Sequence, residues 1–180
     1  MGICEKCRRK SMYLELTSDM RIPTMVDMKR MYEAITYFLY CAPNISSSSH
    51  SKKLSKEMQK ELFKTLEKCK PMNFIFCNQS IDSSVLHDNA LSSSSICMKC
   101  HRAVLKKSQN ETEYQCLVRH LRNALAHGLF YTFHMGNDIG IFLEDKYRGE
   151  ITARIAINRV IFTTWYLQIW NFEKKMLQQN

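Results

Sequence analysis

The segment HLRNALAHGLF, residues 120–130, sets Arg122, Asn123 and His127 on the closing turns of a helical stretch that ends at Gly128. These residue types can do chemistry. An imidazole takes or gives a proton near neutrality, and a guanidinium presents a fork of donors to anionic oxygens. Together they could run proton transfer beside a stabilised negative charge. On a wheel centred on Leu121, Tyr114, Leu117, Val118, Ala124, Leu125 and Gly128 fall within roughly 60° and form a core-facing stripe. The far side carries, in angular order, Arg122, Ala126, Arg119, Asn123, Cys116, His127 and His120. Arg122 and His127 lie about 140° apart, flanking that face rather than sharing one edge. Asn123 and His127 are four residues apart, so the amide can orient the imidazole, and Gly128 reads as the cap that leaves His127 on the last turn. By composition alone the same residues also describe a solvated helix surface.

A second group with chemical capacity is the pair of CxxC knuckles, Cys4-Glu5-Lys6-Cys7 and Cys97-Met98-Lys99-Cys100. Two thiolates three residues apart can fill two corners of a zinc tetrahedron from one tight turn. Cys4, Cys7, Cys97 and Cys100 are therefore expected to hold a structural zinc that staples the N-terminal arm to the loop before the motif helix. CMKCH, residues 97–101, also fits a c-type haem attachment pattern, which belongs to exported proteins and is set aside. A redox couple is the remaining alternative, although neither pair sits in a strand-turn-helix module. The scattered Cys41, Cys69, Cys77 and Cys116 read as small buried hydrophobes.

The chain has 26 Lys plus Arg against 17 Asp plus Glu, a net charge of +9 and a pI of about 9.2. Such an excess favours anionic partners, nucleic acid foremost. Part of it forms a ladder, Lys52, Lys56, Lys60, Lys64 and Lys68, spaced about 6 Å apart along a helix axis. A ladder of this kind could track a phosphate backbone, while Glu57, Glu61 and Glu67 on the same helix suit a solvated face. No apolar run is long enough to span a bilayer, and MGICEKCRRK lacks the apolar core of a secretory signal, so a cytoplasmic protein without membrane attachment is expected. Lys6 stands where a myristoylation signal wants Ser or Thr. The Asn-x-Ser/Thr triplets at Asn44, Asn78 and Asn110 are then incidental.

Around these residues the pattern predicts a first helix after Pro23, with Thr24 and Asp27 as a capping box, stopping before Pro43. NISSSSHS, residues 44–51, reads as a linker. A second helix spans about Lys52–Lys70 on the stripe Leu54, Met58, Leu62 and Leu66. MNFIFC reads as a strand or buried segment, and the remainder of 71–96 as a long irregular connection. A third helix covers about Glu111–His127, followed by two alternating runs around Gly136-Asn137-Asp138, a hairpin signature. A final helix is predicted from about Ile151 to Gln178. The expected fold is all-α: one domain over 1–180, with an N-terminal arm (1–22), a bundle of four to five helices (23–180) and a hairpin near 129–144.

RNALAH, Arg122 to His127, resembles the R-x4-6-H motif of the HEPN superfamily, including the polar residue that often follows the arginine, here Asn123. The motif ends a long helix in a small, largely helical chain, as in that superfamily. The resemblance implies a helical bundle that forms a homodimer, with two motif helices meeting across a two-fold axis. It also implies metal-independent cleavage of RNA, in phage defence or as a toxin held by an antitoxin partner. On this chain it makes His127 the acid/base group at the RNA 2′-hydroxyl or leaving oxygen, Arg122 the group that stabilises charge at the phosphate, and Asn123 the one that holds the geometry. Arg119, His120, Lys56, Lys60 and Lys64 would guide the strand. Some toxin members carry a tyrosine two residues after the histidine that a partner nucleotidyltransferase modifies. Leu129 stands there and the nearest tyrosine is Tyr131, so that route of inactivation is not expected. The alternative is a zinc-stapled module that binds nucleic acid or a partner without catalysis.

Overall fold

The hairpin expected after the motif helix forms the edge of a five-stranded sheet. The computed structural model describes residues 13–14, 29–43, 54–68, 72–93, 95–97, 100–135 and 138–178. Over these the chain runs β1 (Tyr13–Leu14), α1 (Lys29–Tyr40), α2 (Lys56–Lys68), β2 (Asn73–Cys77), α3 (Ser83–Asp88), β3 (Leu91–Ser92), β4 (Ser95–Cys97), β5 (Arg102–Lys106), α4 (Glu113–Ala126), β6 (Phe130–Met135), β7 (Asp138–Tyr147), β8 (Glu150–Asn158) and α5 (Arg159–Gln178). The main sheet has the order β2-β5-β8-β7-β6, parallel between β2 and β5 and antiparallel elsewhere.

This corrects the all-α expectation: the molecule is α/β, with a helical layer on a mixed sheet. NFIFC and RAVLK are apolar runs of five residues, a length at which periodicity cannot separate a strand from a buried helix turn. Each finds its neighbour far along the chain, β2 beside β5 and β5 beside β8. The final helix starts at Arg159, not Ile151. EITARIAIN is strand β8, and its Ile151, Ala153, Ile155 and Ile157 alternate with period two. The connection predicted over 71–96 instead holds β2, α3, β3 and β4, with Asp82 capping α3 through its carboxylate and Val85 N–H.

The sheet separates two apolar layers. Ala103, Leu105, Ile141, Leu143, Ala153, Ile155 and Ile157 face α1, α2, α4 and α5. Within this layer α1 packs on α4 and α5, and α2 packs on the same two helices. Trp165, Phe38, Phe162 and Tyr114 are fully buried there. Four helices thus pack together, but as one layer on a sheet and not as the bundle of four to five helices expected. On the opposite face Val104, Phe142 and Ala156 meet Leu86, Leu91 and Ile96 from α3 and the small sheet β1-β4-β3. Arg154 ties the two sheets: it donates to Glu144 Oε2 (2.7 Å), to the Leu91 carbonyl (2.8 Å) and to Ser93 Oγ (2.9 Å).

The predicted first helix is met by α1, with Thr24 and Asp27 outside the described residues. The second is met by α2, which exposes Lys56, Lys60, Lys64 and Lys68 and buries Leu62 and Leu66. No described helix is long and apolar enough to cross a membrane.

Candidate active site

α4 carries the motif, and both of its ends are set locally. Thr112 is the N-cap in a complete capping box: Gln115 N–H donates to Thr112 Oγ1, and Thr112 N–H donates to Gln115 Oε1. Thr112 Oγ1 also donates to Gln59 Oε1 at 2.6 Å, joining α4 to α2. At the other end Gly128 has φ +67°, its N–H donates to the Leu125 carbonyl and Leu129 N–H donates to the Ala124 carbonyl. This is a Schellman closure, which glycine adopts without steric strain. It leaves His127 as the C-cap, exposed at the point where the chain turns into β6.

His127 opens onto a cleft of ≈ 360 Å³ whose walls include Lys106, Asn123, Asp145, Lys146 and Tyr147. Arg122 is half-buried and lies outside that wall. A single chain therefore brings His127 and Asn123 to one cleft but not Arg122. The Asn123 side chain is turned to the sheet, where Nδ2 donates to Asp145 Oδ2 at 3.1 Å. It touches His127 through the main chain, as the Asn123 carbonyl accepts from His127 N–H.

The far side of the wheel is less open than its polar residues suggest. Cys116 and His120 are fully buried against β5 and β7. His120 Nε2 donates to the Lys106 carbonyl (2.8 Å), and Nδ1 faces Asp145 Oδ2 at 2.6 Å, so a proton lies between imidazole and carboxylate. His120 is thus no surface group, contrary to its expected place among strand-guiding residues. Arg119 is held by paired donation to Glu111 (2.7 and 2.8 Å) and by the Lys106 carbonyl (3.0 Å).

Burial alone would raise the Asp145 carboxyl, but hydrogen bonds from His120 and Asn123 overcome it and hold the group below its ordinary value. Glu111 behaves likewise: burial opposes ionisation, and Arg119 with the Ser108 N–H reverses the sign. Glu113 is lowered chiefly by Lys107. Burial pushes the Cys116 thiol up to about 12, the mark of an inert structural cysteine.

Asp145, Lys107, Lys146 and Tyr147 were not foreseen in the site. Asp145 reaches it by the ordinary alternation along β7, on the face of Ile141 and Leu143, and the register breaks only after it, where Asp145 opposes Ala153 but Lys146 opposes Ile151. The signal in the sequence was the acidic pair in IGIFLEDKY, since adjacent strand residues take opposite faces and one of two adjacent carboxylates must point inward.

Of the four knuckle cysteines, Cys97 is buried and Cys100 half-buried, while Cys4 and Cys7 lie outside the described residues. Among the described residues no group of three or more His, Cys, Asp or Glu side chains gathers as a metal site.

The chain belongs to the HEPN family, a class commonly made up of ribonucleases. The particular family is the one described as HEPN pEK499 p136, whose sequence model matches residues 2–176. No curated protein and no solved structure matches the chain.

Proposed function

We propose that this protein is a metal-independent endoribonuclease acting on single-stranded or loop RNA at a site composed across a homodimer. The observation that carries the reading is His127, exposed at the end of the motif helix on a cleft, in a chain that belongs to the HEPN family. Arg122 lies outside that cleft, and the Arg119 guanidinium in its wall is held by Glu111, so a second copy would bring the motif arginine to it. RNA supplies its own nucleophile. The 2′-hydroxyl oxygen attacks phosphorus as one His127 takes its proton, and the bond to the 5′-oxygen breaks. That oxygen receives a proton from the second His127, and Arg122 stabilises the charge on the phosphoryl oxygens. The products are a 2′,3′-cyclic phosphate and a 5′-hydroxyl. In the cell this activity would serve phage defence or act as a toxin in the cytoplasm, with a partner that restrains it.

The test is incubation of the protein with mixed RNA and analysis of fragment ends. His127→Ala and Arg122→Ala are each expected to lower cleavage by at least ~100-fold with the fold intact. Mixing wild type with an excess of His127→Ala is expected to lower the activity per wild-type protomer, because a heterodimer keeps only one of the two imidazoles the reaction uses. Full activity in both variants overturns the reading. Salt-dependent RNA binding without cleavage, with or without added metal, supports the non-catalytic module instead.

We also propose that Cys4, Cys7, Cys97 and Cys100 hold a structural zinc. Tyr13 pairs with Cys97 across β1 and β4, so the chain six residues after Cys7 runs beside the second knuckle.

A further inference from the structure

Two observations outside the motif converge on the cleft. Tyr147 lines it and is 64% exposed, so its ring is open to a ligand in the cleft. Its neighbour Arg148 has φ +51°, and Gly149 follows at +85°. These two residues close β7 onto β8, with Tyr147 paired to Glu150, so the turn is a two-residue type I′ connection. The first place of such a turn suits Asn, Asp or Gly, and an arginine there is strained. The guanidinium lies over the Tyr147 ring, 5.3 Å from its centroid.

The cleft walls limit what can bind. Three of their cations are fixed by carboxylates: Lys107 by Glu113, Arg119 by Glu111 and Lys146 by Glu144. Their field is partly offset, so charge by itself gives modest affinity. What remains is an exposed aromatic face with polar groups beside it. A cleft of ≈ 360 Å³ is at the small end of the roughly 300–1,000 Å³ of ligand sites, a size for one nucleotide and not a duplex. Aromatic rings accept any base on their faces, and single-stranded RNA leaves bases free to stack.

We propose that the cleft beside His127, capped by the Tyr147–Arg148 turn, is a subsite for one unpaired RNA nucleotide flanking the cleaved bond, with its base on the Tyr147 ring and its phosphate toward Arg148 and Lys106. The proposal rests on RNA as the substrate, but it is read by binding. A short single-stranded 2′-O-methyl RNA of mixed sequence lacks the attacking hydroxyl and cannot be cut, so fluorescence anisotropy measures affinity alone. Tyr147→Ala is expected to weaken binding about ten-fold, and Tyr147→Phe to bind within about two-fold of wild type. Arg148→Asn should raise Tm, because asparagine suits the turn, yet weaken binding about three-fold and make it less salt-dependent. A residue placed only to build the turn would give the first effect without the second. Wild-type affinity in both Tyr147→Ala and Arg148→Asn overturns the subsite, as does a wild-type protein that binds no strand or binds adenosine and uridine monophosphate in its place. Tyr147-dependent binding by a protein that fails to cut ordinary RNA keeps the subsite and rejects the ribonuclease.

Discussion

His120 has both ring nitrogens against acceptors, Asp145 Oδ2 at 2.6 Å and the Lys106 carbonyl at 2.8 Å, in a place where water does not reach. Removing the carboxylate leaves a buried polar ring without its partner, and breaking a buried pair in this way costs about 3 kcal/mol. Asp145→Ala is expected to lose about that much in urea unfolding, and to free the Asn123 amide that Asp145 now accepts from. The acid response follows from the same groups. Asp145, Glu111 and Glu113 all lie below their ordinary values, 3.8 for the aspartate and 4.5 for the glutamates. Each binds its proton less readily folded than unfolded, so its contribution is complete above the ordinary value and is lost as pH falls through the lowered one. Tm should be steady from neutrality to about pH 5 and fall below it. Glu111→Gln should lower Tm at pH 7 and flatten the acid slope. A wild-type Tm unchanged down to about pH 3 would count against the assignment.

Strands β6 and β7 meet at a close approach that constrains the whole hairpin. Phe133 pairs with Gly140, and a Cβ on Gly140 would lie 2.2 Å from the Phe133 ring. Gly140→Ala is expected to cost about 1–3 kcal/mol, since the ring must leave a packed position. Adding Phe133→Leu should recover part of it, and urea midpoints of the single and double variants give the answer. The hairpin itself was legible, because two alternating runs around Gly136-Asn137-Asp138 carry both the strand period and the turn chemistry. The motif helix was legible for similar reasons, with its apolar stripe and its closing glycine. Strand β8 was not. It runs into α5 without glycine or proline, and the cap at the junction is Asn158, whose side chain accepts from Ile161 N–H at 2.9 Å. A single asparagine inside a long apolar stretch is weak punctuation, so strand and helix merged into one predicted helix.

At the scale of the molecule, the sheet is the partner that the helices need. α1, α2, α4 and α5 bury their apolar faces on its one side, while Arg154 and the small sheet close the other. The parallel β2–β5 pair joins segments separated by α3 and the small sheet, so this side depends on contacts far apart in sequence. The proposed zinc would act at this level, tying the segment before β1 to the end of β4. One zinc per chain by elemental analysis is expected, with a Tm that falls on chelation and is restored by metal. Metal-free protein of unchanged Tm would remove that staple.

What the sequence by itself determined was the local: Gly128 closing the motif helix, His127 on its last turn, Lys56 to Lys68 of the lysine ladder on an exposed face and the hairpin that follows. Those features depend on residues a few positions apart, where spacing and backbone preference act directly. What only the tertiary structure decided was which polar residues stay outside. His120 and Asn123 both fall on the polar side of the wheel, yet β5 and β7 bury the first and engage the second. A helical wheel carries no information on what packs against it. The carboxylate that makes the difference is Asp145, 25 residues from His120 along the chain and one proton away from it in space.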